Sequence, residues 1–418
     1  MARVMRRRWT ADPSAQTRRD RQSCDYEAYV PDTLAGRRIV FDGDVAADVA
    51  DAEAAIARLD VEAATLIDTE ALARILLRAE SVASSRIEGL EVGARRLLRA
   101  EAVPRIGERS LDMTANEVLS NIDAMATAIR GTGPGDPITL DTVLAFHRTL
   151  LAGTMLEDHA GRIRTEQNWI GGSAYNPCSA AFVPPPPELV AGFLEDLCAF
   201  CNDDSLPAVA QAAIAHAQFE TIHPFADGNG RTGRALIHLV LRRRGLAQRV
   251  LPPVSLILAA GVQDYLGGLT ASRYRGRAGS REAHEGLNLW VAGFAAACKR
   301  AVSDAHAFER RAQEIEAGWR ECLGRVRTSS ATDLLLRKLI GAPVVTVASA
   351  ADLIGRSFPQ TNQAIERLVG AEILRQVNTG RRNRFFEAPA IIDAFASLER
   401  HLASPAGRTA QERQDLGM

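Results

Sequence analysis

The twelve residues from His223 to Arg234 constrain this chain more than any other segment, because they combine a base, a carboxylate, a glycine turn and two guanidiniums. They read H-P-F-A-D-G-N-G-R-T-G-R. The apolar run 208–222 before them predicts a helix, so we expect His223 on the loop that follows it. Residues 231–243 predict a second helix, whose free N–H groups and dipole would face this loop. The segment therefore predicts a polyphosphate site beside a base.

The loop and the start of the second helix carry the candidate anion ligands, which are Gly228, Asn229, Gly230, Arg231 and Arg234. Glycine adopts positive φ readily, as a tight anion-binding turn requires. The two arginines lie three residues apart on one helix face and can reach the same anion. Asp227 is placed to bind a hard cation through oxygen, with Mg²⁺ as the expected ion. His223 is the base that titrates near neutrality, and Phe225 is expected to anchor the loop in the core.

The segment resembles the signature of Fic domains, which transfer AMP from ATP to protein hydroxyls, and it agrees at every position that the signature specifies. Gly230 stands where the kinase-like Doc branch has a lysine, so the resemblance favours AMP transfer. It implies that His223 accepts the proton of a Ser, Thr or Tyr hydroxyl and that Asp227 binds Mg²⁺. The residues implied to hold ATP are Gly228, Asn229, Gly230, Arg231, Thr232, Gly233 and Arg234. Tyr265, on a later predicted helix, is a candidate neighbour of the adenine.

A second segment, Ser84-Ser85-Arg86-Ile87-Glu88-Gly89, matches the inhibitory pattern of the same family. That pattern is a Ser or Thr, three residues, then a Glu followed by Gly or Asn. On a helix, Ser84 and Glu88 would share a face. The resemblance implies that Glu88 pairs with Arg234 and so holds ATP in an unproductive orientation. Ser84, Glu88 and Gly89 are therefore the predicted inhibitory residues, N-terminal to the core.

Residues 161–187 have a different character from the helical segments around them. Aromatic and β-branched residues flank a glycine pair and precede four consecutive prolines, a pattern that predicts a short hairpin. Its position upstream of the motif resembles the Fic flap, which lies over the active site and pairs with the backbone of the target. The predicted flap residues are Trp169, Ile170, Gly171 and Gly172. The alternative is a plain surface hairpin.

Residues 331–389 predict a helix, a strand, two helices joined by a turn and a pair of strands, which is the order of a winged helix. The candidates facing outward on its recognition helix are Gln360, Asn362, Gln363, Glu366 and Arg367. The wing carries a basic cluster of Arg381, Arg382 and Arg384. Winged helices also bind proteins, so the sequence leaves DNA and protein open as partners of this unit.

Composition excludes several classes of protein. The net charge of −1 over 418 residues gives no general attraction to nucleic acid or membranes. The six cysteines are scattered, no disulfide framework is indicated, and we expect a cytoplasmic protein. Cys198 and Cys201 lie in a helical pattern and are predicted to be buried free thiols. The N-terminus lacks the apolar region of a signal peptide, and the apolar stretch 250–262 is too short to span a bilayer, so no membrane partner is expected.

Together these patterns predict a mainly α protein, with a Fic-type helical core, a β-hairpin flap and a C-terminal winged helix-turn-helix domain. The predicted divisions are a flexible arm, an N-terminal helical region with the inhibitory motif, the catalytic core, the winged helix and a disordered tail, at 1–28, 29–110, 111–325, 326–402 and 403–418. The predicted function is a protein adenylyltransferase that uses ATP and Mg²⁺, acts on a hydroxyl-bearing target protein, which can be the chain itself, and is inhibited by Glu88.

Two alternatives to this function remain open from the sequence. One is a DNA-binding regulator whose Fic core senses a nucleotide. The other is an enzyme that removes AMP, with Glu88 activating water. The oligomeric state is also open, and a homodimer is among the states to be tested.

Overall fold

The structure, a computed structural model, describes residues 1–402 except residues 12, 15, 16, 19, 64–68, 103–111 and 378–383. The chain divides into two compact units. The first combines Met1–Ala54, Ala124–Leu246 and Gln263–Ala296, and the second combines Ala55–Asp123, Ala247–Val262 and Ala297–Met418. Each unit thus joins segments that are far apart in the sequence, whereas the predicted domains are continuous. The predicted tail, 403–418, lies outside the described residues.

Helices dominate the described residues, as the sequence predicts. The helices are α1 (Gly43–Ala63), α2 (Thr69–Ile87), α3 (Ala94–Ala102), α4 (Met113–Arg130), α5 (Leu140–Leu151), α6 (Pro187–Cys201), α7 (Ala208–Ile222), α8 (Asn229–Arg243), α9 (Val254–Ala260), α10 (Val262–Ala271), α11 (Arg281–Leu323), α12 (Ala331–Leu339), α13 (Val347–Ile354), α14 (Phe358–Gly370) and α15 (Pro389–Leu402). The strands are β1 (Arg3–Trp9), β2 (Cys24–Val30), β3 (Val344–Thr346), β4 (Arg375–Gln376) and β5 (Phe385–Glu387). Single turns of 3₁₀-helix span Glu157–His159 and Pro177–Ser179.

The core of the first unit is built around α7, whose residues are all buried. Its alanine-rich sequence lets other helices approach closely, and α8 packs against it at Gly233. A Cβ at Gly233 would lie 2.7 Å from Oε1 of Glu220 and 3.0 Å from the ring of Phe219. Only glycine fits at this distance. The close approach sets how near α7 and α8 lie to each other on either side of the loop that joins them.

The flexible arm predicted for residues 1–28 is wrong, because the structure forms an antiparallel hairpin there. β1 pairs with β2 from Arg3 opposite Val30 to Trp9 opposite Cys24. β1 is rich in arginine and shows no clear apolar alternation in the sequence, but its exposed side chains suit a strand with one face in water. Tertiary contacts then hold the hairpin, among them an edge-on contact between the rings of Trp9 and Trp169, with centroids 5.2 Å apart.

The expectation that no disulfide forms is also wrong. Cys24 and Cys178 are bonded to each other, although 154 residues separate them in the sequence. Only the tertiary structure brings them together, so no local spacing could reveal the pair. Cys198 and Cys201 are free thiols, as predicted. Burial raises the pKa of Cys198 to about 11 and raises the pKa of Cys201 further, which keeps both thiols protonated.

The second unit contains α2 packed against α9. Glu80 is fully buried on α2, and its carboxylate accepts hydrogen bonds from the N–H of Ser255, at 2.7 Å, and from the Ser255 hydroxyl. On the other side of α2, the side chain of Asn121 donates to the carbonyl of Ser81, at 2.9 Å, and to the hydroxyl of Ser85, at 3.1 Å. Buried polar groups bonded in this way fix the position of α2, which carries the predicted inhibitory motif.

The C-terminal elements run in the order α12, β3, α13, α14, β4 and β5, and the three strands form an antiparallel sheet with β5 in the middle. Buried Glu387 on β5 pairs with Arg99 at 2.7 Å, Arg95 at 3.3 Å and Arg375 at 3.4 Å. Two of these arginines belong to α3, so the sheet packs on that helix. The element order agrees with the predicted one, and the assignment as a winged helix stays a prediction. Arg381 and Arg382 lie outside the described residues.

Several candidate recognition residues on α14 already have intramolecular partners. Nη2 of Arg367 donates to the carbonyls of Leu323 and Arg325, both at 3.1 Å, and so caps the end of α11. Asn362 donates to Glu366 at 2.8 Å and accepts from Arg384 at 2.6 Å. The carbonyl oxygen of the Gln360 side chain accepts a bond from the hydroxyl of Ser357 at the start of the helix, while Gln363 is exposed.

The later predicted helix that carries Tyr265 is one of two helices, α9 and α10, which meet at Gly261 and bend by 98°. Among the described residues no single helix is long and apolar enough to cross a membrane, and this bent pair passes that test only when its two parts are taken together.

Candidate active site

His223 ends α7 in a left-handed backbone conformation, with φ 49° and ψ 62°. Its N–H donates to the carbonyl of Phe219 at 2.9 Å, which closes the last turn of the helix. A non-glycine residue in this conformation costs about 1–2 kcal/mol, so surrounding contacts must hold it. The turn directs the chain out of the helix and leaves the His223 side chain 19% exposed.

Two side chains that the sequence analysis did not assign to the site hold the carbonyl of His223. Arg164 donates to it through Nε at 2.9 Å and Asn168 through Nδ2 at 3.1 Å. Arg164 also donates to the carbonyls of Pro185, at 2.6 Å, and Ile222, at 3.4 Å. Burial lowers the pKa of Arg164 to about 10, still high enough to keep it charged at neutral pH. The cation thus satisfies carbonyls at the negative end of α7.

The loop after His223 is closed by Asn229, the first residue of α8. Its side-chain oxygen accepts the N–H of Phe225 at 2.8 Å, and its side-chain N–H donates to the carbonyl of Phe225 at 2.9 Å. Phe225 is fully buried, as predicted for the anchor of the loop. Asn229 is predicted as an ATP ligand, but its side chain bonds inside the loop. Its backbone lies in the first turn of α8.

His147 on α5 clamps the other side of the loop and was missed by the sequence analysis. Its Nδ1 accepts the N–H of Gly161 at 3.0 Å, so Nε2 carries the proton and donates to the carbonyl of Asp227 at 2.9 Å. The ring is fully buried and stacks on Phe225, with centroids 3.7 Å apart. Burial lowers the pKa of His147 to about 4, which keeps the ring neutral. A lone histidine in a helical pattern gave no signal of this role.

The first turn of α8 faces the loop with its backbone N–H groups. Gly228 is the N-cap, with φ 75°, and provides no side-chain cap for that turn. Thr232 donates both its N–H and its hydroxyl to the carbonyl of Gly228, at 3.0 and 2.8 Å. The N–H groups of Gly230 and Arg231 belong to the part of a helix that favours a bound anion.

The two arginines of the motif are buried on α8. Arg231 is 3% exposed, and its Nη2 lies 3.5 Å from Oδ2 of Asp227, whose side chain is 50% exposed. Among the described residues, Nε and Nη1 of Arg231 have no hydrogen-bond partner. Arg234 is 1% exposed, and its charge contributes to the low pKa of His216, after burial. Buried guanidinium N–H groups without partners are unusual, and they suit a phosphate ligand.

A carboxylate lies near the candidate base. Oε2 of Glu220 is 3.8 Å from Nδ1 of His223, one turn away on the same helix, and Glu220 is 7% exposed. This distance is too long for a hydrogen bond, and it places a buried carboxylate beside the imidazole. The arrangement suits a base that must hold a proton transiently.

Tyr265, the candidate adenine neighbour, is 5% exposed in the core of the first unit. Its hydroxyl lies 2.9 Å from Nε2 of His216, and its ring packs with that of Trp290, with centroids 6.1 Å apart. The structure therefore gives Tyr265 a packing role, and the adenine contact stays a prediction.

The predicted flap pairs at one position only, where Ile170 is opposite Phe182. Gly171 and Gly172 both have positive φ, 75° and 77°, and they turn the chain directly after this bridge. Trp169 is half-buried, and its indole N–H donates to the carbonyl of Ser173 at 2.7 Å. The segment is thus a wide loop with a single bridge instead of the hairpin that was predicted.

The predicted inhibitory residues belong to the second unit. Ser84 is fully buried on α2, whereas Glu88 and Gly89 are exposed in the turn that follows Ile87, the last residue of the helix. The expectation that Ser84 and Glu88 share a helix face is therefore wrong, because the helix ends one residue before Glu88. Gly89, with φ 81°, ends the helix. The pairing of Glu88 with Arg234 stays a proposal.

Family comparison agrees with the local geometry of the motif. The Fic/DOC family matches residues 137–241, and the N-terminal region of the Fic/DOC family matches residues 46–130. The first match contains α5, α7, the loop and most of α8. Residues 137–241 are therefore similar to a Fic domain, and residues 46–130 to the N-terminal region of the same family.

Two curated proteins are similar to one segment of the chain. Protein adenylyltransferase fic-1 of Caenorhabditis elegans is 39% identical over 120 residues, which are 28% of this chain and 22% of that protein. Protein adenylyltransferase Fic of Drosophila virilis is 36% identical over 118 residues, again 28% of this chain and 22% of that protein. The chain thus matches about a fifth of the length of these relatives.

A solved structure supports the fold of the chain. The crystal structure of a Fic family protein from Desulfovibrio desulfuricans G20 aligns with a TM-score of 0.52, over 85% of this chain and 98% of that one. The sequence identity is 22%. At this identity the likeness shows the fold alone, which is the mainly helical Fic fold.

The buried His147 predicts a dependence of stability on pH. The pKa of His147 is about 4 in the folded chain and 6.5 when the ring is not buried. Between these pH values the unfolded chain binds a proton that the folded chain does not. The free energy of unfolding should therefore fall as the pH drops through this range, by on the order of 3 kcal/mol from this residue. His147→Gln should remove that component, as measured by urea denaturation across the range.

The matched control is His159→Gln, because His159 is exposed close to His147 in sequence. This variant should keep most of the pH dependence of the wild type, because the charge of His159 is only a minor cause of the low pKa of His147. His216, whose pKa burial lowers to about 3, adds a similar component that should persist in both variants. An unchanged pH dependence in His147→Gln would contradict the assignment of a buried neutral ring.

Proposed function

We propose that this protein is an adenylyltransferase that moves AMP from ATP to a Ser, Thr or Tyr hydroxyl of a protein. One observation carries the proposal: a short loop, held on both sides, joins the His223 base to the uncapped first turn of α8 and to the buried guanidinium of Arg231. The names of the curated relatives, which are protein adenylyltransferases, support the same activity.

In the proposed reaction, the hydroxyl oxygen of the target attacks the α-phosphorus of ATP, and its proton passes to the imidazole of His223. The new P–O bond joins AMP to the target while the bond to pyrophosphate breaks. Glu220, 3.8 Å from Nδ1, stabilises the imidazolium that forms. The left-handed turn at His223 presents the ring at the loop instead of along the helix.

The triphosphate would be held by the N–H groups of Gly230 and Arg231 and by the guanidiniums of Arg231 and Arg234. Phosphate oxygens would satisfy Nε and Nη1 of Arg231, which have no partner among the described residues. Asn229 contributes through its backbone, because its side chain bonds within the loop. Thr232 supports the first turn of α8, because its N–H and its hydroxyl both donate to the carbonyl of Gly228. Gly233 contributes by allowing α8 to pack against α7.

Asp227 would hold Mg²⁺ through its half-exposed carboxylate. One protein carboxylate fits this role, since in nucleotide sites phosphate oxygens and water complete the coordination of Mg²⁺. The described residues contain no group of three or more His, Cys, Asp or Glu that could hold a metal without the nucleotide. When bound, the ion would neutralise charge on the phosphates.

The proposal includes inhibition by Glu88. Its carboxylate is exposed at the end of α2, in a turn that Gly89 terminates, and α2 itself is fixed by buried polar bonds. Pairing with Arg234 would remove a cation from the terminal phosphate, so ATP would bind in an unproductive orientation. Trp169, Ile170, Gly171 and Gly172 are proposed to form the flap on which the target docks.

Two alternatives share the same site and are separated by labelled ATP. An adenylyltransferase transfers the label to a protein, whereas a DNA-binding regulator with a nucleotide-sensing core binds the label without transfer. An enzyme that removes AMP, with Glu88 activating water, loses its activity in Glu88→Gly, whereas the proposed transferase gains activity. A cytoplasmic location and a homodimeric state are parts of the proposal that fractionation and light scattering would test.

We further propose that the C-terminal elements direct the enzyme to its partner through α14 and the basic segment that ends at Arg384. A DNA partner requires free cations, and Arg367 and Arg384 are engaged with Leu323, Arg325 and Asn362. The exposed residues of the same helix, such as Phe358 at 57%, suit a protein partner equally.

Replacing the candidate base should abolish transfer while preserving ATP binding. We choose His223→Asn, because asparagine tolerates the left-handed conformation better than alanine. Transfer from labelled ATP should fall by roughly a hundredfold to ten-thousandfold, the usual contribution of a general base. Calorimetry should show ATP affinity within a few-fold of wild type. His159→Asn serves as the control, and near wild-type transfer in His223→Asn would refute the assignment of the base.

Removing the inhibitory carboxylate should raise activity. Glu88→Gly should increase self-labelling or labelling of a partner by about tenfold or more, since one ion pair would no longer compete with the terminal phosphate. Arg234→Ala in the Glu88→Gly background should remove the gain. Glu91→Gly, which deletes a nearby exposed carboxylate, is the control. If Glu88→Gly labels no protein more than wild type does, inhibition by Glu88 fails.

A gel-shift assay of the full chain tests the DNA partner. Each phosphate that the protein neutralises steepens the log–log dependence of affinity on salt by roughly one unit. Replacing Arg381, Arg382 and Arg384 with alanine should therefore weaken binding to all duplexes and flatten this slope. The control replaces three exposed arginines of β1, Arg3, Arg6 and Arg8. Absence of any shift at low salt would assign these elements to a protein partner.

A further inference from the structure

The disulfide Cys24–Cys178 joins two parts of the first unit that serve different purposes. Cys24 begins β2 of the N-terminal hairpin, which we define as residues 3–30. Cys178 lies in the 3₁₀ turn Pro177–Ser179, inside the segment 168–182, which we name the flap loop. Cys178 is exposed and Cys24 is half-buried, so a small reductant in solution can reach the bond.

The contacts around the disulfide hold the middle of the flap loop on the hairpin. The rings of Trp9 and Trp169 meet edge-on, with centroids 5.2 Å apart. The carboxylate of Asp20 accepts the hydroxyl of Ser173, and its backbone carbonyl accepts Nδ2 of Asn176 at 3.0 Å. These contacts join the same two segments as the covalent bond, and they require the hairpin to lie along the loop.

Within the flap loop there are a few hydrogen bonds, among them the indole N–H of Trp169 to the carbonyl of Ser173, at 2.7 Å, and the N–H of Ser173 to the hydroxyl of Ser179, at 3.3 Å. The loop's single internal bridge joins Ile170 to Phe182, and the turn between them begins with two glycines at positive φ. At its start, Asn168 donates to the carbonyls of His223 and Phe225, at 3.1 and 3.0 Å. The loop therefore begins on the candidate catalytic loop and depends on the hairpin for its middle.

We propose that Cys24–Cys178 is a redox-sensitive tether that fixes the flap loop and so sets how readily a target protein docks beside His223. A thiolate of a dithiol reductant attacks the exposed sulfur of Cys178, and Cys24 leaves as a thiolate that takes up a proton. The second thiol of the reductant then closes its own disulfide and releases Cys178 as a thiol. One protein disulfide and one dithiol thus become two protein thiols and one reductant disulfide.

Reduction frees the middle of the loop from its covalent tie, and the loop must then be ordered again when a target binds. The oxidised protein is the pre-organised form. This effect on docking rests on the adenylyltransferase function proposed above, whereas the effect on the loop does not. ATP binding should not change, because the ligands on α8 and the clamp at His147 lie outside the tethered segments.

Hydrogen–deuterium exchange of the full chain, with and without dithiothreitol, tests the tether directly. Amides of residues 170–182 should exchange about tenfold faster after reduction, while those of α7 and α8 stay unchanged. The double variant Cys24→Ser, Cys178→Ser should exchange rapidly with or without the reductant, and its circular dichroism reports whether it folds. Cys322→Ser, which removes an exposed free thiol, should respond like wild type. Unchanged exchange in the reduced wild type would overturn the tether.

The effect on docking is measured with a His223→Asn copy of the chain as the protein substrate and Glu88→Gly as the enzyme. Reducing the enzyme should raise the KM for this substrate several-fold and leave kcat and the KM for ATP unchanged. An unchanged KM for the protein substrate would overturn the effect on docking. Absence of any labelling would instead count against the adenylyltransferase function, and the exchange experiment would still decide the tether.

Discussion

The geometry of the site depends on one buried cation, Arg164, which gathers the carbonyls at the end of α7. The guanidinium donates to Ile222, His223 and Pro185, so it stabilises the negative end of a helix and the left-handed turn that follows. Without these bonds a non-glycine residue at φ 49° would have little to hold it. The base, the loop and the start of α8 all take their positions from this turn, and the flap loop begins at Asn168, which shares the same carbonyl.

Neutral side chains hold the loop from both sides, so they add no charge at the position of the ligand. Asn229 pairs with both backbone groups of Phe225, and His147 bonds the carbonyl of Asp227 while stacking on the same phenylalanine. Because burial keeps His147 neutral, this clamp adds no charge beside the motif arginines on α8. An anion bound at this position meets hydrogen-bond donors that are already fixed, so its binding requires little further ordering of the protein.

In the proposed function, segments far from the motif in sequence control the use of the site. The N-terminal hairpin reaches the flap loop through the disulfide and through Trp9 and Asp20. The predicted inhibitory glutamate lies at the end of α2, which buried polar bonds to Ser81, Ser85 and Ser255 hold in place. In the proposed function, the first segment would act on the docking of the target and the second on the orientation of the nucleotide, so redox state and Glu88 would regulate separate steps of the reaction.

The sequence by itself determined the parts of this protein that depend on neighbouring residues. The motif at 223–234, the helices before and after it and the burial of Phe225 follow from local patterns of apolar, glycine and charged residues, and the structure confirms these elements. The end of α2 is also a local feature. The sequence pattern predicts that this helix includes Glu88, whereas the helix ends at Ile87. Only the tertiary structure decided which distant groups meet, because contacts such as Cys24–Cys178, Arg164 with His223, and His147 with Asp227 have no periodicity in the sequence. The N-terminal hairpin belongs with them, because the arginine-rich strand β1 lacks a local apolar pattern and is held by its pairing with β2 and by contacts such as Trp9 with Trp169.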